Sequence, residues 1–365
     1  MTELQDKILK ANSVIGIIGG GQLGRMSCFA AHELGYKTVV FSNQENSPAS
    51  FVTSKTIIAN YDDKEALAEF ANLIDIATFE FENIPLAAIE FLSSKKPVYP
   101  SANILKITQN RILEKEFLNQ IGVKTTDFFE IKTLTDLQNK LAEFNQAVLK
   151  TATMGYDGKG QFILKKNIAI AALEKILSEF KNQQLILEKF CQFEQEISVI
   201  ITRNLDGEIM AYEPLTNIHK NAILDQSIYP ANISKACKKQ SVEIATKIAT
   251  ELDLIGVLAV EFFVLKNEAL LVNELAPRPH NSGHFSIDGA NSSQFEQLIR
   301  AIAGWKLGNV HFHSTGYMKN LIGDEVKNLE QFLTNKNAKI HLYGKEKITA
   351  GRKMGHVNIL NNKNS

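Results

Sequence analysis

The sequence predicts an α/β and α+β protein of two or three domains, and three observations carry that expectation. The chain has 365 residues, 44% hydrophobic and 22% charged, which is more than one core comfortably serves. Its first hundred residues alternate strand, helix and strand, the pattern of a parallel doubly wound sheet. Beyond them the alternation lapses into hairpins with a few helices, which indicates an α+β domain rather than a second parallel unit.

In order along the chain, VIGII (14–18) reads as a buried strand, followed by a glycine turn and an amphipathic helix to about Leu34. KTVVF (37–41) and IDIATFE (74–80) are further strands, and KKPVYPSAN (95–103) adds a short strand with a proline-marked exit. ITQNRILEKEFLNQIG (107–122) has a helical period and stops at Gly122. AVLK (147–150) and QFILKK (161–166) are strands joined by a glycine-rich loop, and QLILEKF (184–190) is another. Residues 196–214 form a hairpin turning at Asn204–Gly207. Residues 234–252 form a helix with Cys237, Ile244, Ile248 and Leu252 on one face, and 257–275 a hairpin turning near Lys266–Glu268. The tail, 306–365, carries short strands and several glycines.

Composition excludes some partners. With 40 basic and 40 acidic residues the formal net charge is zero, so nothing attracts nucleic acid or an anionic membrane. Cys28, Cys191 and Cys237 are sparse and lack paired metal spacing, which suits a reducing cytoplasm. The apolar patch near the N-terminus is too short and glycine-rich for a signal peptide. The longest apolar run, 254–265, is interrupted by Glu261 and falls short of a membrane span.

Five motifs carry chemistry. Gly19, Gly21 and Gly24 satisfy GxGxxG between strand and helix, where a helix N-terminus can hold a phosphate. The usual acidic partner on the second strand is missing, so a dinucleotide, another anionic ligand and a structural turn all stay open. In VLKTATMGYDGKGQFIL (148–164), Gly155, Gly158 and Gly160 let backbone N–H groups approach a polyphosphate, and Lys150 reaches the same phosphates. Glu261 and Glu274 can oppose each other on the strands of one hairpin, about 5 Å apart. A hard cation such as Mg²⁺ would relieve their repulsion, with Asn273 as a further oxygen. Exposed strand carboxylates are the bland alternative, but Glu261 sits inside an apolar run where an unpaired charge is costly. Arg278 suits bidentate anion binding, and His280, Asn281 and Ser282 add donors between two prolines. Arg352 and Lys353, between glycines, could grip a phosphate or simply be solvated.

In this order the motifs resemble the ATP-grasp enzymes, and more narrowly the 5-(carboxyamino)imidazole ribonucleotide synthetase family of purine biosynthesis. GGGQLGRM (19–26), FEFENIP (79–85), GYDGKGQ (155–161), NELAPRPHNSGH (273–284) and GRKMGH (351–356) carry the resemblance. It implies an N-terminal parallel-sheet (Rossmann-like, pre-ATP-grasp) domain over 1–106 and an ATP-grasp domain over 107–305, with a lid about 123–190. A small β-rich C-terminal domain over 306–365 completes it, and the chain is expected to form a homodimer.

The implied substrates are ATP, bicarbonate and 5-aminoimidazole ribonucleotide, with Mg²⁺ and no flavin, NAD or biotin. Arg111 and Lys150 match phosphate-side ATP contacts, and the 155–160 loop matches the lid over them. Glu188, Lys189, Phe190 and Cys191 match the hinge whose backbone pairs with adenine. Glu196 matches the ribose acid, His219 another nucleotide contact, and Glu261 and Glu274 the Mg²⁺ ligands. Arg278, His280, Asn281 and Ser282 would hold bicarbonate against the γ-phosphate. Gly21, Gln22, Leu23, Glu82, Tyr156, Asp157 and Lys159 would face the ribonucleotide, with Arg352 and Lys353 on its phosphate. Lys159 stands where an arginine is common, keeping the charge but losing the fork. A formate-using glycinamide ribonucleotide transformylase would share the nucleotide residues and differ at 278–284 and 352–353.

Overall fold

The computed structural model describes residues 8–153, 155, 160–180 and 183–361. β1 (Val14–Ile18), β2 (Lys37–Ser42), β3 (Lys55–Ile58) and β4 (Ile76–Phe79) form a parallel sheet ordered β3-β2-β1-β4. β4 is buried throughout and β1 nearly so, because both sheet faces are covered. On one side α1 (Gln22–Glu33) buries Leu23, Met26 and Ala30 in a core that also contains Phe295 and Leu298. On the other, α2 (Lys64–Leu73) and α3 (Leu86–Ser93) bring Leu67, Phe70, Ile89 and Leu92. Each apolar side chain of this size removed from water contributes about 1.5–3 kcal/mol.

Two expectations need correction in the next segment. The short strand over 95–103 reduces to one bridge, Val98 to Ala77, because Pro97 and Pro100 on either side have no N–H to extend it. The helix over 107–122 is two helices, α4 (Ala102–Thr108) and α5 (Arg111–Gln120). Between them the Gln109 amide donates to the carbonyls of Glu82 and Ile84. Asn110 then caps α5, its side chain accepting from the N–H groups of Ile112 and Leu113. The break places Arg111 in the first turn of a new helix, and Gly122 ends that helix at φ +71°.

β5 (Phe128–Ile131), α6 (Leu134–Phe144), β6 (Gln146–Thr151), β7 (Gln161–Lys165), α7 (Ile170–Glu179) and β8 (Leu185–Lys189) make a separate unit. Its antiparallel sheet runs β5-β8-β6-β7 over a core around Leu137, Leu149 and Leu187.

The largest sheet begins with β9 (Gln195–Arg203), β10 (Ile209–Ala211), β11 (Leu215–Lys220) and β12 (Ile223–Tyr229). After α8 (Lys235–Glu251) come β13 (Gly256–Val264) and β14 (Leu270–Ala276). Past α9 (Ser286–Gly289) and α10 (Gln294–Ile302), β15 (Thr315–Ile322), β16 (Ala338–Leu342) and β17 (Lys353–Asn361) complete it. The order is β14-β13-β9-β11-β12-β15-β17-β16, with β10 beside β9. The C-terminal strands therefore continue the central sheet. The hairpins at 204–207 and 266–268 stand where expected; the β11–β12 hairpin and α10 were not anticipated, although Ser293 with Glu296 three residues on marks the start of α10. On α8, Cys237, Ile248 and Leu252 are buried as the spacing predicts, and Ile244 is partly so. Among the described residues no helix is long and apolar enough to cross a membrane.

Candidate active site

A cavity of about 710 Å³ opens where the parallel sheet, the small antiparallel unit and the central sheet meet. The hairpin β13–β14 supplies its two defining carboxylates. Glu261 and Glu274 are direct partners in the antiparallel register, and the register shifts immediately after Glu261, leaving Asn273 as the extra residue. Burial first, and the Glu274 charge second, push the Glu261 carboxyl up to about 8. Burial acts on Glu274 as well, but the Arg111 guanidinium at 3.0 Å holds it below the usual carboxylate range. Two carboxylates this close drive each other's ionisation apart, and the Arg111 guanidinium favours the charge on Glu274.

Lys150, on β6, lies 2.8 Å from Glu188 on β8, which also faces Lys115 of α5 at 3.7 Å. Burial alone would raise Glu188, yet Lys115, Lys150 and Arg111 hold it down at about 2. Glu188 therefore turns its side chain to the lysines. Lys189, Phe190 and Cys191 continue along the cavity wall, near the stacked rings of Phe193 and Phe263, 4.5 Å apart. Glu196 and His219, on β9 and β11, pair at 2.5 Å. Although burial opposes it, Glu196 raises the His219 pKa.

The loop after β14 divides its residues between two sides. Arg278 lines the cavity, pairs with Glu82 at 2.7 Å, and keeps a buried Nε with no hydrogen-bond partner among the described residues. His280 lines it too, with Nδ1 2.9 Å from Ser282 Oγ and 3.5 Å from Glu261. Asn281 reaches the cavity but spends its amide on Asn320. Ser282 is fully buried behind the wall, its hydroxyl between Ser198 and His280. It braces His280 and does not face the cavity. At the C-terminal end Lys353 lines the cavity, whereas Arg352 donates to the Lys347 carbonyl and does not reach it. Gly155 and Gly160 are at the rim; Tyr156, Asp157, Gly158 and Lys159 lie outside the described residues.

Gly21, Gln22 and Leu23 line the cavity as well, but the anion site of the glycine turn is filled from within. Gly21 N–H and Gly24 N–H both donate to the Glu80 carboxylate, the second at 2.7 Å. A Cβ on Gly21 would lie 2.6 Å from that carboxylate. A dinucleotide pyrophosphate would have to displace that carboxylate from both amides. Glu80 was missed in the sequence, although it stands in FEFENIP two residues before Glu82. Glu114 and Lys115 were missed too. Their signal is helical spacing, which sets Glu114 four residues before Leu118 and so on the buried face of α5.

Three imidazoles stack beneath the loop: His284 lies 4.7 Å from His356, and His356 lies 4.5 Å from His341. Burial pushes His284 and His356 well below the ordinary histidine value. Below that value the unfolded chain binds more protons than the folded one. The stability these groups contribute is therefore full above about pH 6.5 and lost as pH falls through and below it. Between about pH 7 and pH 5 the Tm of the unsubstituted protein should therefore decline relative to that of His356→Gln. Equal slopes in the two proteins would show that His356 plays no part in the decline.

Comparison with known proteins agrees with this layout. Residues 13–109 match the ribonucleotide synthetase preATP-grasp domain, 116–295 the ATP-grasp domain, and 316–365 the phosphoribosylaminoimidazole carboxylase C-terminal domain. The N5-carboxyaminoimidazole ribonucleotide synthase of Bacillus subtilis is 43% identical over 98% of this chain and 94% of its own length. A solved ADP complex of an N5-carboxyaminoimidazole ribonucleotide synthetase superposes with a TM-score of 0.93 at 40% identity, covering 98% of this chain and 94% of that one. An N5-carboxyaminoimidazole synthase from Aspergillus clavatus, solved with ADP and 5-aminoimidazole ribonucleotide, gives 0.89 at 29% identity, covering 96% and 94%. Fold and site together define an ATP-grasp ligase. Within that class the chain belongs to the N5-carboxyaminoimidazole ribonucleotide synthase family of purine biosynthesis.

Proposed function

We propose that this chain uses ATP and bicarbonate to carboxylate the amine of 5-aminoimidazole ribonucleotide through carboxyphosphate. What supports it is the meeting of the Glu261–Glu274 pair and the anion-seeking Arg278 in one cavity. Bicarbonate is a weak electrophile. Transfer of the γ-phosphoryl group to one of its oxygens creates a leaving group; as phosphate departs, the amine nitrogen takes the carboxyl carbon, directly or as released CO₂, and gives up a proton.

Arg111 and Lys150 would hold the phosphates, Lys150 exchanging Glu188 for the nucleotide. The backbone of 188–191 would pair with adenine, Glu196 with the ribose, and His219 would stay against Glu196. Arg278 and His280 would hold bicarbonate in line, with Asn281 and Ser282 fixing the loop behind them. Among the described residues no three His, Cys, Asp or Glu side chains form a self-sufficient metal site. Glu261, Glu274 and Asn273 would accordingly hold Mg²⁺ only together with nucleotide phosphates, the usual arrangement for this ion. When bound, Mg²⁺ supplies neutralisation of the charge that accumulates between two reacting anions.

The ribonucleotide would lie against Gly21–Leu23 and Glu82, with its phosphate near Lys353; Arg352 would have to release Lys347 to join it. The assignments of Tyr156, Asp157 and Lys159 to this substrate rest on the motif alone. Lys353→Ala should raise the ribonucleotide KM about tenfold or more with little change in kcat, the pattern of lost uniform binding. A shift in the ATP KM instead would place the phosphate elsewhere. The three free thiols suit a cytoplasmic enzyme, and the homodimer assignment rests on the family resemblance. The decisive assay is ADP release with each substrate omitted in turn. Release that needs formate and glycinamide ribonucleotide, rather than bicarbonate and aminoimidazole ribonucleotide, would overturn the proposal.

A further inference from the structure

Helix α5 carries two ionic groups that none of these steps uses. Glu114 and Lys115 are 2% and 1% exposed. Burying a charge is costly unless its partners are well placed, so those partners are informative. Glu114 Oε2 accepts the N–H of Leu275 at 2.9 Å, and Lys115 Nζ donates to the carbonyl of Asn273 at 3.2 Å. These backbone groups stand on either side of Glu274. β14 is the outermost strand of its sheet, so side chains occupy places that a neighbouring strand would otherwise fill. The same helix turn sends Arg111 to the Glu274 carboxylate itself. It also meets, through Lys115 and Glu188, the lysine of β6.

We propose that Glu114 and Lys115 are positioning residues that aim Glu274 by gripping the backbone before and after it. The register shift next to Glu261 gives this grip a purpose. With Asn273 extra, the ladder to β13 is disrupted beside Glu274, and the helix supplies backbone partners at that point. A conventional helix-to-sheet anchor would need neither a donor nor an acceptor at these two atoms. This inference rests on the reading of Glu274 as a metal ligand.

The test is Mn²⁺ binding to the ADP-saturated enzyme, followed by the electron paramagnetic resonance signal of free Mn²⁺. ADP binding without metal is measured in parallel by calorimetry. Glu114→Met and Lys115→Met should weaken Mn²⁺ binding about tenfold to a hundredfold, the usual loss when a ligand's support is removed. Metal-free ADP affinity should stay within about threefold in Glu114→Met; in Lys115→Met, whose partner Glu188 also pairs with Lys150, it should fall less than Mn²⁺ affinity does. Glu114→Gln keeps an acceptor for Leu275 N–H and should remain within about threefold of the unsubstituted protein in Mn²⁺ binding. If Glu114→Met does not fold, Lys115→Met carries the same test on the other side of Glu274. Unchanged Mn²⁺ affinity in the methionine variants, or a parallel loss of metal-free ADP binding, would overturn the proposal. Failure of the unsubstituted protein to bind Mn²⁺ with ADP would instead overturn the assignment of Glu274, and the inference with it.

Discussion

Glu274→Gln should lower kcat on the order of a thousandfold, about 4 kcal/mol of lost transition-state stabilisation, while the chain stays folded. Glutamine keeps the volume and one acceptor oxygen but not the charge that a hard divalent cation requires. Little else is disturbed. Arg111 retains attraction from Glu188 and Glu114, so the substitution does not strand a buried cation. Glu261 loses the neighbour that helps push its carboxyl up and ionises more readily, which cannot replace a second ligand. Tm within about 2 °C of the unsubstituted protein would separate this loss from unfolding. Near-normal kcat at saturating Mg²⁺ would remove Glu274 from the chemistry.

Arg278→Lys should lower kcat/KM for bicarbonate about a hundredfold, close to 2.7 kcal/mol, with the ATP KM within about threefold. Lysine can keep the charge and the pairing to Glu82, because a point cation suffices there. It cannot keep a planar fork in which one edge answers Glu82 and Pro279 while Nε remains for an incoming anion. Bicarbonate titration in CO₂-depleted buffer measures the effect. A rise confined to the ATP KM would assign Arg278 to the nucleotide.

Much of this site was legible in the sequence because its chemistry interrupts apolar runs. Glu261 inside VLAVEFFVL is conspicuous in one dimension, and a short hairpin turn then dictates its partner. What could not be read depends on contacts between distant segments. The break at Gln109–Asn110 has neither proline nor glycine; it is held by carbonyls of residues 82 and 84 and by Arg111 N–H donating to Ala152. The β11–β12 turn puts Asn221 and Ala222 at positive φ, and alanine gives no warning of that. His280 and Ser282 are two residues apart in a loop with no period, so only the fold distinguishes the one facing the cavity from the one behind it. Glu80 and Glu82 both line the cavity and are told apart only by their partners. One satisfies the turn at Gly21 and the other meets Arg278.

The unbroken ladder from β14 through β12 to β17 has a consequence for how such a chain could be cut or recombined. The strand bearing Glu274 and the strand that opens with Lys353 are ribs of one fabric. Deleting the last fifty or so residues would therefore not liberate a tidy phosphotransferase. It would bare the flank of β12, an adhesive border that invites foreign strands. Activation and acceptor recognition are woven together, whereas the small unit over 128–189, with both a sheet and a core of its own, has more of the independence of a separate part.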